Sequence, residues 1–320
     1  MQVQSPLLET RNLKKFFTTP SGRIHAVDDI SLRINKGKTL GVVGESGCGK
    51  STLGRTVLRL LEPDSGEIFF EGENILHIHK SEARKKLRDM QIIFQDPYAS
   101  LNPRMTISDI ILEPMKINRF LPTTKDLDDR VNELMQIVGL APRLYNAYPH
   151  ELDGGRRQRV GVARALSLTP KFIVCDEPVS ALDVSIQAQI LNLMMDLQDK
   201  LDLTYLFITH NLSVVKHISD EIMVMYLGQC IEWTTSDELF RNPLHPYTKA
   251  LLDAIPIPHL REPGFKRKSI KGELTSPIDP PPGCRFAVRC PYATEACSGK
   301  DIPLREVETN HKVACVLFDK

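Results

Sequence analysis

Gly44-Glu45-Ser46-Gly47-Cys48-Gly49-Lys50-Ser51-Thr52 is the stretch that decides how this chain folds. Glycine at three of these positions lets successive backbone N–H groups turn inward and cradle the oxygens of a nucleotide's β-phosphate. Lys50 adds a point charge at the β/γ-phosphates and Ser51 a hydroxyl for Mg2+. Thr52 is where a helix is expected to begin, its N-terminal dipole favouring the same anion. The flanks agree, because Lys38-Thr39-Leu40-Gly41-Val42-Val43 reads as a short apolar strand and residues 53–61 carry apolar side chains at helical spacing. A strand, a glycine-rich loop and a helix in that order predict an α/β fold built to hold a nucleotide.

Two further strands are expected to bring polar groups to the edge of a parallel sheet. Phe172-Ile173-Val174-Cys175 is apolar throughout and ends in Asp176-Glu177. Asp176 suits Mg2+, and Glu177 is the candidate to polarise an attacking water. Thr204-Tyr205-Leu206-Phe207-Ile208-Thr209 ends in His210, a candidate γ-phosphate sensor or positioner of Glu177 and the water. Upstream, Ile92-Ile93-Phe94 closes with the amide of Gln95.

Composition excludes some classes. With 41 basic and 40 acidic residues in 320, the chain lacks the strong basic field of a nucleic-acid binder. Its apolar runs fall short of the roughly 20 residues that span a bilayer, and residues 1–10 lack the apolar segment of a signal peptide. A soluble, cytoplasmic chain with a membrane partner is the expectation. The length suggests one large α/β unit plus something smaller.

In their order along the chain, residues 44–52, Gln95, Gly154-Gly155 ahead of a basic helix, Asp176-Glu177, Ser180-Ala181-Leu182-Asp183 and His210 resemble the ATP-binding cassette ATPases. The resemblance covers roughly residues 6–255. It implies a phosphate-loop ATPase core with an antiparallel β subdomain and a helical subdomain inserted at about 96–168, all within residues 1–255, followed by a C-terminal extension over 256–320. It implies ATP and Mg2+ as cofactors, bound by Gly44, Glu45, Ser46, Gly47, Cys48, Gly49, Lys50, Ser51 and Thr52, with Asp176 also on Mg2+. Gln95 would sense Mg2+ and face a transmembrane subunit, while Lys50, Glu177 and His210 serve hydrolysis. Asp183 would lie at a dimer seam, and Asp153, Gly154 and Gly155 would face the nucleotide of the opposite subunit. Phe17 looks like the aromatic that stacks on adenine, with Phe16 the other register of the doublet.

Two segments resemble the oligopeptide and dipeptide importer branch. These are Asp96-Pro97-Tyr98-Ala99-Ser100-Leu101-Asn102-Pro103 and Asn242-Pro243-Leu244-His245-Pro246-Tyr247-Thr248-Lys249-Ala250-Leu251-Leu252. The branch implies two transmembrane permease subunits, a second ATPase subunit and, indirectly, an extracytoplasmic substrate-binding protein, with this chain peripheral on the cytoplasmic face of the membrane. Related importers carry peptides, nickel or oligosaccharides. A soluble cassette protein without a transport role is the other class, but it predicts two cassettes or a long coiled-coil insertion. Between the proline breaks at Pro103, Pro122 and Pro142, helices are expected over 107–115 and 126–138.

Residues 256–282 hold seven prolines and read as an irregular connector. Beyond it stand Cys284, Cys290, Cys297 and Cys315, with gaps of five, six and seventeen residues. In a reducing cytosol such a cluster suggests metal ligation over disulfides. Zinc sites more often use two close cysteine pairs, so the spacing fits an iron–sulfur cluster at least as well, and zinc or reduced thiols remain open. Members of the dipeptide branch with this tail hold a [4Fe-4S] cluster, which the resemblance implies here. Cys48, Cys175 and Cys230 read as packing residues.

Asp153 departs from the family, where serine touches the γ-phosphate bound by the opposite subunit. A carboxylate about 4 Å from a phosphate charge costs on the order of 4 kcal/mol at an effective dielectric near 20. Asp153 is also a good N-cap for a helix over 154–166, and Arg156, where the family has glutamine, partly offsets its charge. A heterodimer is therefore expected, with a second, non-identical subunit and two unequal ATP sites.

Overall fold

The computed structural model describes residues 5–254 and 276–319, so the proline-rich connector lies outside the described residues up to position 275. The strands are β1 (Leu8–Thr19), β2 (Gly22–Ile34), β3 (Thr39–Val43), β4 (Ser65–Phe70), β5 (Glu73–Asn74), β6 (Met90–Ile93), β7 (Phe172–Asp176), β8 (Thr204–Ile208), β9 (Glu221–Tyr226), β10 (Gln229–Thr235), β11 (Arg305–Glu308) and β12 (His311–Val313). The helices are α1 (Lys50–Val57), α2 (Lys80–Arg88), α3 (Pro97–Ser100), α4 (Ile107–Asn118), α5 (Thr124–Ile137), α6 (Gly154–Leu166), α7 (Val184–Leu201), α8 (Leu212–Ile218), α9 (Ser236–Arg241) and α10 (Pro246–Asp253). They fall into two compact units, one of residues 5–7, 34–38 and 70–208, the other of residues 8–33, 39–69, 209–254 and 276–319.

In the first unit β6, β7 and β8 run parallel, with Ile92 opposite Val174 and Val174 opposite Leu206. Every residue of β7 and β8 is buried, as expected of strands covered on both faces. The helices α4, α5 and α6 pack through one apolar face each, including Ile107, Ile111, Val131, Leu134 and Val160. Thr106 and Thr123 cap α4 and α5, each hydroxyl accepting the N–H of the aspartate three residues on. The helix expected over 107–115 runs on to Asn118, with Pro114 inside it. Proline removes one intrahelical bond, and the Asn118 side chain returns to the Pro114 carbonyl at 2.9 Å.

In the second unit β3 pairs parallel with β9, and β9, β10, β12 and β11 then continue antiparallel. A separate antiparallel layer orders β2, β1 and β4. The helix after the phosphate loop starts at Lys50, two residues before the expected Thr52, because Gly49 in the left-handed region is the N-cap. It stops at Val57, short of residue 61, where Arg59 turns left-handed at φ 54°. The C-terminal tail belongs to this unit, with β12 pairing β10 and Ile278 bridging Ile24.

Candidate nucleotide-binding and hydrolysis site

The phosphate loop owes its path to glycines that no other residue replaces without strain. Gly44, Gly47 and Gly49 have φ of 156°, 80° and 105°. A Cβ on Gly49 would stand 1.8 Å from the Ala26 carbonyl oxygen, and one on Gly44 2.2 Å from that of Met225. The loop is thus pressed between β2 and the end of β9, and the Cys48 carbonyl accepts the Gly228 N–H at 2.8 Å. No side chain caps α1, which keeps its first turn open to an anion. Lys50 is buried, and its ammonium donates to the Gly44 and Glu45 carbonyls at 2.8 and 2.9 Å. Burial pushes the Cys48 thiol up in spite of Lys50, so it packs as a neutral group.

The carboxylate pair at the end of β7 divides by exposure. Asp176 is 1% exposed, whereas Glu177 stands half-buried just beyond the strand. Glu177 has φ 47°, a left-handed backbone that a residue of its kind adopts only where the surroundings enforce it. Its N–H donates to the Ile208 carbonyl at 2.9 Å, and its own carbonyl accepts the Ser180 hydroxyl at 3.1 Å. Gln95 donates its amide to Glu177 Oε2 at 3.1 Å, joining two residues 82 positions apart. His210 is exposed beyond β8, one residue before the Asn211 cap of α8.

The segment after Gln95 is fixed to α6 by two arginines. Asp96 caps the short α3, the Arg157 guanidinium lies 3.6 Å over the ring of Tyr98, and Arg164 donates to the Ser100 carbonyl at 2.6 Å. At the start of α6, Asp153 Oδ1 accepts the Arg156 N–H at 2.8 Å, and Arg156 returns an ion pair to Oδ2 at 3.2 Å. The glycines behind it face the entry to α7, where a Cβ on Gly154 would meet Leu182 at 3.1 Å and one on Gly155 Ile186 at 2.6 Å. Asp183 caps α7 by accepting the Ile186 N–H at 3.0 Å. Of the aromatic doublet, Phe16 is engaged with His25 and Arg23, with centroid distances of 4.4 and 4.2 Å, while Phe17 is exposed.

Within each unit, then, Gln95 meets Glu177, Asp153–Gly155 meets the start of α7, and Lys50 folds over its own loop. Sequence reasoning missed the residues that grip the loop, Tyr247 on α10 and Arg289 in the tail, and the buried Glu232 that ties tail and α10 to β10. Their signals were present but weak, namely an acidic residue inside an anion-binding loop and an arginine directly before a cysteine.

The ABC transporter family profile matches residues 27–180, and that of the oligopeptide/dipeptide transporter C-terminal region matches residues 231–297. The chain is 50% identical to the oligopeptide transport ATP-binding protein AppF of Bacillus subtilis (strain 168), covering 98% of each chain. It is 49% identical to the dipeptide transport ATP-binding protein DppF of Haemophilus influenzae, over 100% of this chain and 99% of that one. Among solved structures, the dimeric ATP-binding cassette MJ0796 in a post-hydrolysis state with ADP and Pi matches with a TM-score of 0.65 at 26% identity, covering 72% of this chain and 98% of that one. CbiO1 of Clostridium perfringens, part of the transporter complex cbiONQ, matches with a TM-score of 0.66 at 27% identity, over 75% of this chain and 92% of that one.

Proposed function

The chain belongs to the ATP-binding cassette transporter family, in its oligopeptide and dipeptide branch, and from that premise we propose that it is the ATP-hydrolysing motor of a peptide importer, working as one half of a heterodimer with unequal ATP sites. The observation that carries the motor reading is a complete phosphate loop in a chain that matches peptide-transport ATPases along its whole length, tail included. Among the described residues no helix is long and apolar enough to cross a membrane, so the path for the peptide falls to separate permease subunits. An extracytoplasmic binding protein would deliver the peptide to them.

The loop N–H groups and the open first turn of α1 receive the phosphates, and Lys50 exchanges neutral carbonyl acceptors for an ionic one. Ser51 and Asp176 are the groups that suit Mg2+, which when bound neutralises charge on the phosphates. Glu177, held by Gln95, orients and deprotonates the water, and His210 stabilises the γ-phosphate side of the reaction. The Asp96–Ser100 segment, tied to α6 by Arg157 and Arg164, is suited to carry a permease contact to Asp153–Gly155. Phe17 offers an exposed ring for adenine. In the heterodimer this chain's loop faces the partner's signature, and Asp153 faces the partner's nucleotide, where its charge slows that site.

The tail fits a metal group. All four of Cys284, Cys290, Cys297 and Cys315 line one pocket together with His245. His245 is buried, burial lowers its pKa to about 4, and its Nδ1 accepts the Tyr247 N–H, so Nε2 carries the proton. Among the described residues that Nε2 has no hydrogen-bond partner, and it suits a sulfur acceptor in the cavity. The gaps of five, six and seventeen residues between the cysteines fit a [4Fe-4S] cluster at least as well as zinc. Such a cluster would staple a tail too small to hold itself together.

Reconstitution with permease subunits in liposomes tests the reading. Glu177→Gln should keep MgATP binding while phosphate release falls at least a hundredfold, the range for losing a general base. Continued turnover in that variant would remove Glu177 from the reaction.

A further inference from the structure

Glu45 stands inside the phosphate loop, yet it is held from the C-terminal tail. Arg289 donates from Nη1 to Glu45 Oε2 at 2.8 Å and from Nη2 to Oε1 at 3.1 Å, a two-pronged pair, with a further contact from Nη1 to the Tyr226 hydroxyl at 3.2 Å. The pair is largely out of water, the side chains being 6% and 22% exposed. Tyr247, fully buried, accepts the Glu45 backbone N–H at 2.8 Å. Both the main chain and the side chain of one loop residue are therefore gripped by residues roughly 200 or more positions away.

The grip has a firm base. Tyr226, Tyr247 and Phe286 pack edge to face with centroids 4.7 to 5.4 Å apart. Arg289 closes the one-turn helix Ala287–Arg289, and the next residue, Cys290, lines the cysteine cavity. Arg285, on the other side of Phe286, binds Asp28 and the Leu227 carbonyl. The turn thus presents cysteines to the cavity and arginines to the nucleotide-binding half of its unit.

A carboxylate in a loop that receives triphosphate opposes the ligand unless it is neutralised, and a glycine-rich loop binds more tightly when it is already ordered. Arg289 supplies the first and, with Tyr247, the second. We propose that Arg289 and Tyr247 are positioning residues for ATP, bracing the phosphate loop through Glu45 so that the tail contributes to nucleotide affinity. The proposal rests on the motor reading above. The plainer account, an ion pair that only docks the tail, predicts no specific effect on ATP.

The full chain in the assembled complex separates these accounts through direct binding of a fluorescent ATP analogue, with KM and kcat measured alongside. Arg289→Gln should weaken ATP binding about tenfold, the low end for losing a charged hydrogen-bond partner, with kcat at saturating ATP within about twofold. Arg289→Lys should recover part of the loss, since it restores the charge without the fork, and Tyr247→Phe should weaken binding by about threefold. Arg285→Gln loosens the same turn without touching Glu45. Unchanged affinity in Arg289→Gln overturns the brace, and so does an equal loss in Arg285→Gln. A wild-type protein that binds no MgATP sinks the motor reading itself, which an unaffected variant beside a binding wild type does not.

Discussion

At Asp153 one side chain performs two tasks that substitution can separate. As a cap it satisfies the Arg156 N–H, and as a charge it stands where the family presents a neutral hydroxyl. Its ion pair with Arg156 joins two side chains that are 58% and 51% exposed, so the pair adds little to stability. Serine caps about as well as aspartate, whereas alanine forfeits about 1 kcal/mol. Asp153→Ser should therefore leave the denaturation midpoint nearly unchanged while raising ATP turnover of the assembled complex. Asp153→Ala should lower stability by about 1 kcal/mol in chemical denaturation. Equal turnover in wild type and Asp153→Ser would mean that the two ATP sites are not made unequal by this charge.

Among the elements, β10 has the most to hold. Its Glu232 is fully buried and accepts from the Leu244 and His245 N–H groups at 2.7 and 2.9 Å and from His311 Nε2 at 2.8 Å. One carboxylate thereby starts α10, which carries Tyr247, and fixes β12. Glu232→Ala strands three buried donors and should cost about 3 kcal/mol or more, while Glu232→Gln, which keeps an acceptor, should cost less. Urea denaturation of the two variants measures the difference. Elements set by short-range chemistry were legible beforehand: the phosphate loop by its glycines, β7 and β8 by their apolar runs, and α6 by its cap. Legibility failed where local signals compete or are absent. The helix expected over 107–115 runs three residues further, to Asn118, and Gly49 shifts the start of α1. Glu232 meets His311 across 79 positions and Glu45 meets Arg289 across 244, and no periodicity announces pairings set by tertiary packing.

Across the whole chain, the tail is stitched in and not merely appended. At the end of the connector it meets β2 through Ile278 and Asp279, then Asp28 through Arg285, Glu45 through Arg289, and β10 through β12. Each attachment joins residues more than 75 positions apart, and none lies far in sequence from one of the four cysteines that share a cavity. Burial pushes the Cys284 thiol up to about 11 and raises those of Cys290 and Cys315, so without a metal these groups stay neutral. A small module with no large core of its own would depend for order on the metal group proposed for its cysteines. Removing bound metal by anaerobic chelation should therefore raise hydrogen exchange first in residues 284–297, and next in the phosphate loop, because Arg289 is the adjoining residue that holds Glu45. ATP affinity should fall in the same samples. An exchange pattern in which 284–297 loosens while residues 44–49 keep their protection would show that tail and loop are mechanically independent despite the ion pair between them.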